Sequence, residues 1–278
     1  MRFFILFLFV FFSGFTTQGQ EISIMTYNIR LDVASDGKNA WPERKDFLVD
    51  QIQFYAPDIF GIQEGMPHQT QFINSKLINY DFIGHGRDGG EKGEYSALFY
   101  NTEKFTVANE KTFWLSTTPE KLSKGWDAAY PRICTYGLFT AIGTGHKFWI
   151  FNTHLDHIGV AARSKSLILI QSEINKVNLE KYPVFLMGDF NLEPNSEQIT
   201  MLKRNMADTK DVAKQKFGPD GTFNGFKFSE PVLRRIDYIF LSKTKDVEVL
   251  KYAVLSDSKD LKYPSDHLPV YVVLRPVQ

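Results

Sequence analysis

The run Pro183 to Asn191, PVFLMGDFN, is a buried-type apolar stretch that stops at Gly188 and is followed by a carboxylate, an aromatic ring and an amide. Asp189 and Asn191 therefore stand where a central strand ends, although a tight turn alone would also use Gly, Asp and Asn. The pattern recurs. In SIMTYNIR, Ile22, Ile24, Thr26 and Asn28 share one face of an alternating strand, whose apolar side finishes in the Asn28 amide. DIFGIQE is another short apolar strand, finishing in Glu64. In KFWIFNTHLDH, Phe148, Ile150, Asn152 and His154 alternate with Trp149, Phe151 and Thr153, which carries His154 to the strand end. In RRIDYIFLS, Asp237 shares a face with Ile239 and Leu241, so a carboxylate points toward apolar surroundings and needs a partner. YPSDHLPVYVVL supplies one, because Asp266 and His267 come just before a closing apolar strand. A hydrogen bond from the His267 ring to the Asp237 carboxylate would fix the ring tautomer and support an imidazolium.

Taken together, these residues resemble the endonuclease/exonuclease/phosphatase superfamily, which includes pancreatic-type deoxyribonuclease, abasic-site endonucleases, inositol-polyphosphate 5-phosphatases, sphingomyelinases and deadenylases. The motifs that carry the resemblance are, in order, TYN, a strand-terminal QE, NTHLDH, GDFN, RIDYIF and SDH. They extend over nearly the whole mature chain. Strands alternating with helical stripes, such as Leu48, Ile52 and Tyr55 or Leu167, Ile170, Ile174 and Val177, argue only for an α/β protein. The resemblance implies more: a four-layer α/β sandwich of the deoxyribonuclease I type, with two mostly antiparallel sheets packed face to face and helices outside.

It also implies hydrolysis of a phosphoric ester. Such a reaction needs charge neutralisation, a water in line with the leaving group and stabilisation of the leaving oxygen. Glu64 and Asn28 offer hard oxygen ligands suited to Mg²⁺, or Mn²⁺, and no clustered His or Cys motif points to Zn²⁺. By resemblance, Asp266 joins the metal ligands. Asp189 is expected to position and deprotonate the attacking water, with Asn191 bonding to that water and a phosphoryl oxygen. His267, oriented by Asp237, and His154 are expected to donate to phosphoryl oxygens. The resemblance reaches two further residues as phosphate contacts: Tyr95, in GEYSALFY, and Arg132, in YPRICTYGLF.

The chain has 278 residues, 43% of them apolar and 15% aromatic, enough for one large core, and no Pro- or Ser-rich linker divides it. Residues 1–19 read as a secretory signal peptide, one Arg followed by a short apolar run and small polar residues, leaving a catalytic domain over residues 20–278. The apolar run is too short for a comfortable membrane span, so a secreted or periplasmic protein without a stable membrane anchor is expected. Cys134, the only cysteine, excludes an intrachain disulfide and reads as a small buried hydrophobe.

Lys plus Arg balances Asp plus Glu at 32 each, so no basic excess is available to grip a long duplex. Runs such as Arg234-Arg235 and Lys243 to Lys245 read as solvated surface. The Gly-rich segment Gly84 to Gly93 lacks the spacing of a P-loop and reads as a rim loop, and the segment Ser116 to Pro131 is a second rim carrying Trp126 and Tyr130. Asp156 and His157 are candidates to support His154. The expected activity is that of a monomeric, metal-dependent phosphodiesterase of nuclease or deadenylase-like character, acting on a phosphate ester such as short or single-stranded nucleic acid. A phosphomonoesterase acting on a phosphorylated sugar, inositol or lipid headgroup is the alternative, and a non-catalytic phosphate-binding protein the second.

Overall fold

The computed structural model describes residues 20–277, so the leader expected over residues 1–19 lies outside the described residues. In chain order the strands are β1 (Ile22–Asn28), β2 (Ile59–Gln63), β3 (Tyr80–Ile83), β4 (Leu98–Asn101), β5 (Phe105–Trp114), β6 (Ile133–Ala141), β7 (Lys147–His154), β8 (Val184–Asp189), β9 (Met206–Asp208), β10 (Gln215–Phe217), β11 (Asp237–Ser242), β12 (Val247–Val254) and β13 (Val270–Pro276). The helices are α1 (Trp41–Tyr55), α2 (Pro67–Lys76), α3 (Val160–Val177), α4 (Glu197–Leu202) and α5 (Thr209–Val212).

The strands form two sheets, in the orders β10-β12-β13-β1-β2-β4-β3 and β5-β6-β7-β8-β11-β9. Most neighbours are antiparallel, as expected; β1 with β2, β7 with β8 and β10 with β12 run parallel. Two of these parallel pairs form where a helix carries the chain back, α1 between β1 and β2 and α3 between β7 and β8.

Period-two alternation divides the apolar residues into three layers. Ile22 and Ile24 of β1, Phe148 and Ile150 of β7, Phe185 and Met187 of β8 and Ile239 and Leu241 of β11 meet between the sheets. Their neighbours Trp149, Phe151, Tyr238 and Phe240 turn the other way and pack against Leu167 and Ile170 of α3. Met25 and Tyr27 pack against Leu48 and Ile52 of α1 on the outer face of the first sheet. The result is the four-layer α/β sandwich. Cys134 is fully buried on the α3 side, among aromatic and aliphatic neighbours, as its sequence context predicts. No helix among the described residues is long and apolar enough to cross a membrane.

Candidate active site

Strand register assembles the site. Parallel pairing of β7 with β8 sets His154 opposite Asp189, and antiparallel pairing of β8 with β11 sets Asp189 opposite Asp237. One row across three strands therefore carries an imidazole and two carboxylates, all on the inter-sheet face. Close approach at this point requires Gly188, whose φ is 137°: a Cβ there would lie 1.8 Å from the Thr153 carbonyl oxygen. From the facing sheet come Asn28 and Glu64, at the ends of parallel neighbours β1 and β2. Asn28 Nδ2 donates to Glu64 Oε1 and to Asp189 Oδ2, at 3.0 Å each, and so ties the two sheets together at their polar edge. Three residues here, Arg30, Glu64 and Asn191, have left-handed φ values of 57°, 63° and 50°, a conformation that side-chain-bearing residues adopt at an energetic cost.

Asp237 is fully buried behind His267 and accepts a 2.8 Å hydrogen bond from Nδ1, the contact expected from the sequence. Burial alone would lower the His267 pKa, but Asp237 and Asp189 outweigh it and push it up to about 10, so the ring is an imidazolium at neutral pH. Its Nε2 lies 3.7 Å from Asp189 Oδ2. Burial, reinforced by Asp237, pushes the Asp189 carboxyl up against the opposing pull of His267. His154 goes the other way: burial and the nearby Arg132 hold it well below the usual imidazole range, so it is neutral. Asn191 Nδ2 donates both to the Leu155 carbonyl and to His154 Nε2, which places the His154 proton on Nδ1. That atom has no hydrogen-bond partner among the described residues.

These groups line a cavity of about 490 Å³, whose wall includes Glu64, His154, Asp189, Asn191, Asp266 and His267. Arg132 joins them, buried and held by Asp156 Oδ2 at 3.3 Å and His157 Nδ1 at 3.0 Å, so Asp156 and His157 support the site through Arg132. Burial alone would raise the Asp156 pKa, but the backbone N–H groups of Gly159, Ile158 and Ala129 outweigh it and hold the carboxyl at about 2.

Two of the expected site residues need correction. Tyr95 does not reach the cavity: its ring packs into the outer core against Phe82, while the adjacent Glu94 faces the cavity. Asn28 is in place but presents its donor rather than its oxygen. Its Oδ1 accepts the Arg30 backbone N–H, which can only donate, so Nδ2, which cannot ligate a cation, faces the carboxylates.

Asp189, Asp237 and His267 have potential ligand atoms within 4.8 Å of one another, a cluster that could hold a metal ion. Within this trio the His267 Nδ1 to Asp237 Oδ2 hydrogen bond already occupies one ring nitrogen and one carboxylate oxygen. The donors better suited to a hard cation are Glu64 and Asp266. Burial pushes the Asp266 carboxyl up, and the Arg30 guanidinium stands 3.9 Å from each of these two carboxylates, a cation where negative charge needs compensation.

The sequence reading also missed residues that line the cavity. Arg30, Arg87, Glu94, Phe223 and Arg234 all face it. Arg234 and Arg235 are not simply solvated surface: Arg234 packs over Phe223, and Arg235 is buried, bonded to Asp208 at 2.7 Å and stacked on Tyr238. Tyr130 joins the cavity wall, stacked on His157, whereas Trp126 does not line it.

With this geometry in place, the family model described as "Endonuclease/Exonuclease/phosphatase family" matches residues 25–267. The chain belongs to this family. A family member from Bacteroides thetaiotaomicron superposes with a TM-score of 0.89 at 37% identity, covering 94% of this chain and all of that one. A mannosyl-6-phosphatase from the same organism superposes with a TM-score of 0.86 at 37% identity, covering 91% of this chain and 99% of that one. Human Nocturnin is 24% identical over 89% of this chain, which matches only 63% of that protein's length. Hydrolysis of phosphate esters is the chemistry of the family, and the cavity gathers the polar groups that this chain brings to it.

Proposed function

We propose that this protein is a divalent-metal-dependent phosphomonoesterase that acts on a phosphorylated sugar. The observation that carries this reading is the charge state of the cavity wall. Each of its four arginines already faces a carboxylate of the protein: Arg30 with Asp36 at 2.9 Å, Arg87 with Glu94 at 2.6 Å, Arg132 with Asp156 at 3.3 Å and Arg234 with Glu193 at 3.7 Å. A wall neutralised in this way suits one phosphate on a neutral leaving group and disfavours a strand that brings further phosphates along. The mannosyl-6-phosphatase at 37% identity supports the same substrate class, while the relatives named as probable RNA exonucleases are 25–27% identical over less than two thirds of this chain.

Glu64 and Asp266 would hold the cation, with Mg²⁺ the best match to their hard oxygens, and Asn28 would keep Glu64 in place. When bound, the cation neutralises phosphoryl charge and favours departure of the sugar oxygen. Asp189, raised by burial and set between His154 and Asp237, positions the attacking water and takes its proton. The His267 imidazolium, backed by Asp237, donates from Nε2 to a phosphoryl oxygen, and Asn191 and neutral His154 fix the remaining geometry. The protein would act as a monomer, and the leader over residues 1–19 would export it.

The test is a substrate panel with Mg²⁺: mannose 6-phosphate, bis-(p-nitrophenyl) phosphate and a short single-stranded oligonucleotide. The monoester is expected to give the highest kcat/KM, chelator to abolish turnover, and Asp189→Ala, Glu64→Ala and His267→Ala each to lose at least about 10²-fold. An oligonucleotide cleaved in preference to the monoester would overturn the reading.

A further inference from the structure

The hairpin that precedes β4 carries an ion pair that its fold does not require. Arg87 N donates to Glu94 O, Asp88 N to Lys92 O and Gly86 N to Gly90 O, while Trp114 Nε1 anchors the hairpin by donating to Arg87 O. Backbone bonds and one indole thus hold it closed. Yet the Arg87 and Glu94 side chains are paired at 2.6 Å and only 14% and 11% exposed, on the wall of the catalytic cavity. Burying such a pair adds little stability on its own, because desolvation cancels most of the attraction. The Arg87 contact uses Glu94 Oε1 and leaves Oε2 for another donor. Burial pushes the Glu94 carboxyl up and Arg87 opposes it.

Beside this pair lies an aromatic face. Tyr130 is half exposed, with Arg87 over its ring at 4.9 Å and His157 stacked on it at 6.0 Å. Because Arg132 can only donate, its bond to His157 Nδ1 leaves the proton of a neutral His157 on Nε2, a second donor on the same wall. An aromatic face, a carboxylate acceptor and cationic or imidazole donors form the combination that a hydroxylated ring requires, since it presents C–H faces and an equator of hydroxyls.

We propose that Arg87, Glu94, Tyr130 and His157 form the subsite for the sugar ring of the substrate, with Glu94 Oε2 accepting from a ring hydroxyl and Tyr130 lying against the C–H face. The proposal rests on the phosphomonoesterase reading and deepens it: the catalytic row reads the phosphate, and this wall selects a hexose over other leaving groups. The Arg87–Glu94 pair has no net charge to hold a second phosphate, which disfavours bisphosphates.

The experiment compares kcat/KM for mannose 6-phosphate and for p-nitrophenyl phosphate, which has no hydroxyls to read, in wild type, Glu94→Gln and Tyr130→Ala. Glu94→Gln is nearly isosteric, and Tyr130 is half exposed, so thermal unfolding of both is expected to stay close to wild type. Each substitution is expected to lower the ratio of the two kcat/KM values by about tenfold, mainly through KM for the sugar phosphate. If both variants lose activity on the two substrates equally, or lose none, the wall is structural and the proposal falls while the monoesterase reading stands. If wild type cleaves the oligonucleotide and leaves mannose 6-phosphate untouched, both fall together.

Discussion

His267 shows how one buried contact sets the chemistry of a whole site. Its folded pKa, about 10, lies above the ordinary imidazole value of 6.5 because Asp237 and Asp189 overcome the burial that would lower it. A group raised in this way contributes stability that is complete below about 6.5 and is lost as pH rises through about 10. In metal-free protein the His267 ring resonances are therefore expected to titrate near 10. In Asp237→Asn the titration should move toward neutrality, and the stability lost by this variant should be greatest near and just below pH 6.5 and shrink away as pH rises through about 10. A titration near 6.5 in wild type would contradict the charged relay. The Asp237 partner was legible in the sequence because a carboxylate sharing a face with Ile239 and Leu241 has to be compensated. Tyr95 was not: alternation in GEYSALFY defines two faces but does not say which of them meets the cavity, and the structure gives that face to Glu94. The orientation of the Asn28 amide was equally out of reach, since it is decided by the backbone N–H of Arg30.

At the scale of elements, strand ends deliver the row of His154, Asp189 and Asp237, and one arginine of α1 holds the loops that follow. Arg44 is buried and donates to four carbonyls, those of Ile29, Arg30, Asn39 and Pro264, while its guanidinium packs over Trp41 and Phe226. It thereby joins the exit of β1 to the segment carrying Asp266, the two stretches that flank Glu64. Among the described residues no carboxylate bonds to it; its N–H groups are taken up by these carbonyls. Arg44→Met would leave these acceptors unpaired, at a cost on the order of 3 kcal/mol. For a domain of this size that is a fall in Tm of about 6–12 °C, measurable by calorimetry. Arg44→Lys should recover little of it, since a point ammonium cannot serve four acceptors arranged around a planar fork. A Tm within 2 °C of wild type, an allowance of under about 1 kcal/mol, would show that solvent takes over these carbonyls. Arg44 was hidden in the sequence because its helix shows only an apolar stripe, and what matters is the carbonyls that chain folding brings around it. The same holds for Arg87 and Glu94, which sit on a Gly-rich hairpin without periodicity. The strands were readable because alternation is local, whereas these contacts are between segments far apart or in loops.

For the whole molecule, the deciding quantity is the distribution of charge rather than its sum. The chain balances 32 cationic against 32 anionic side chains, and the cavity repeats that balance locally, arginine by arginine. The two-sheet frame explains how: β1 and β2 in one sheet and β7, β8 and β11 in the other end at a common edge, so reactive groups converge while the loops around them bring carboxylates to match each guanidinium. A protein that tracks a nucleic acid releases a counterion for each phosphate it neutralises, and six to ten contacts cost about 10³ to 10⁵ in affinity between 50 and 200 mM salt. A site that takes a single phosphate against a neutralised wall has little of that dependence. Steady-state kcat/KM on mannose 6-phosphate is therefore expected to fall by less than about tenfold over the same range. The runs Lys243 to Lys245, which lie in a separate surface depression with Lys214 and Val277, should contribute nothing to it. A decline of several hundredfold would mean that cations outside the cavity guide the substrate in, and the case for a small, singly phosphorylated molecule would give way to one for a polyanion.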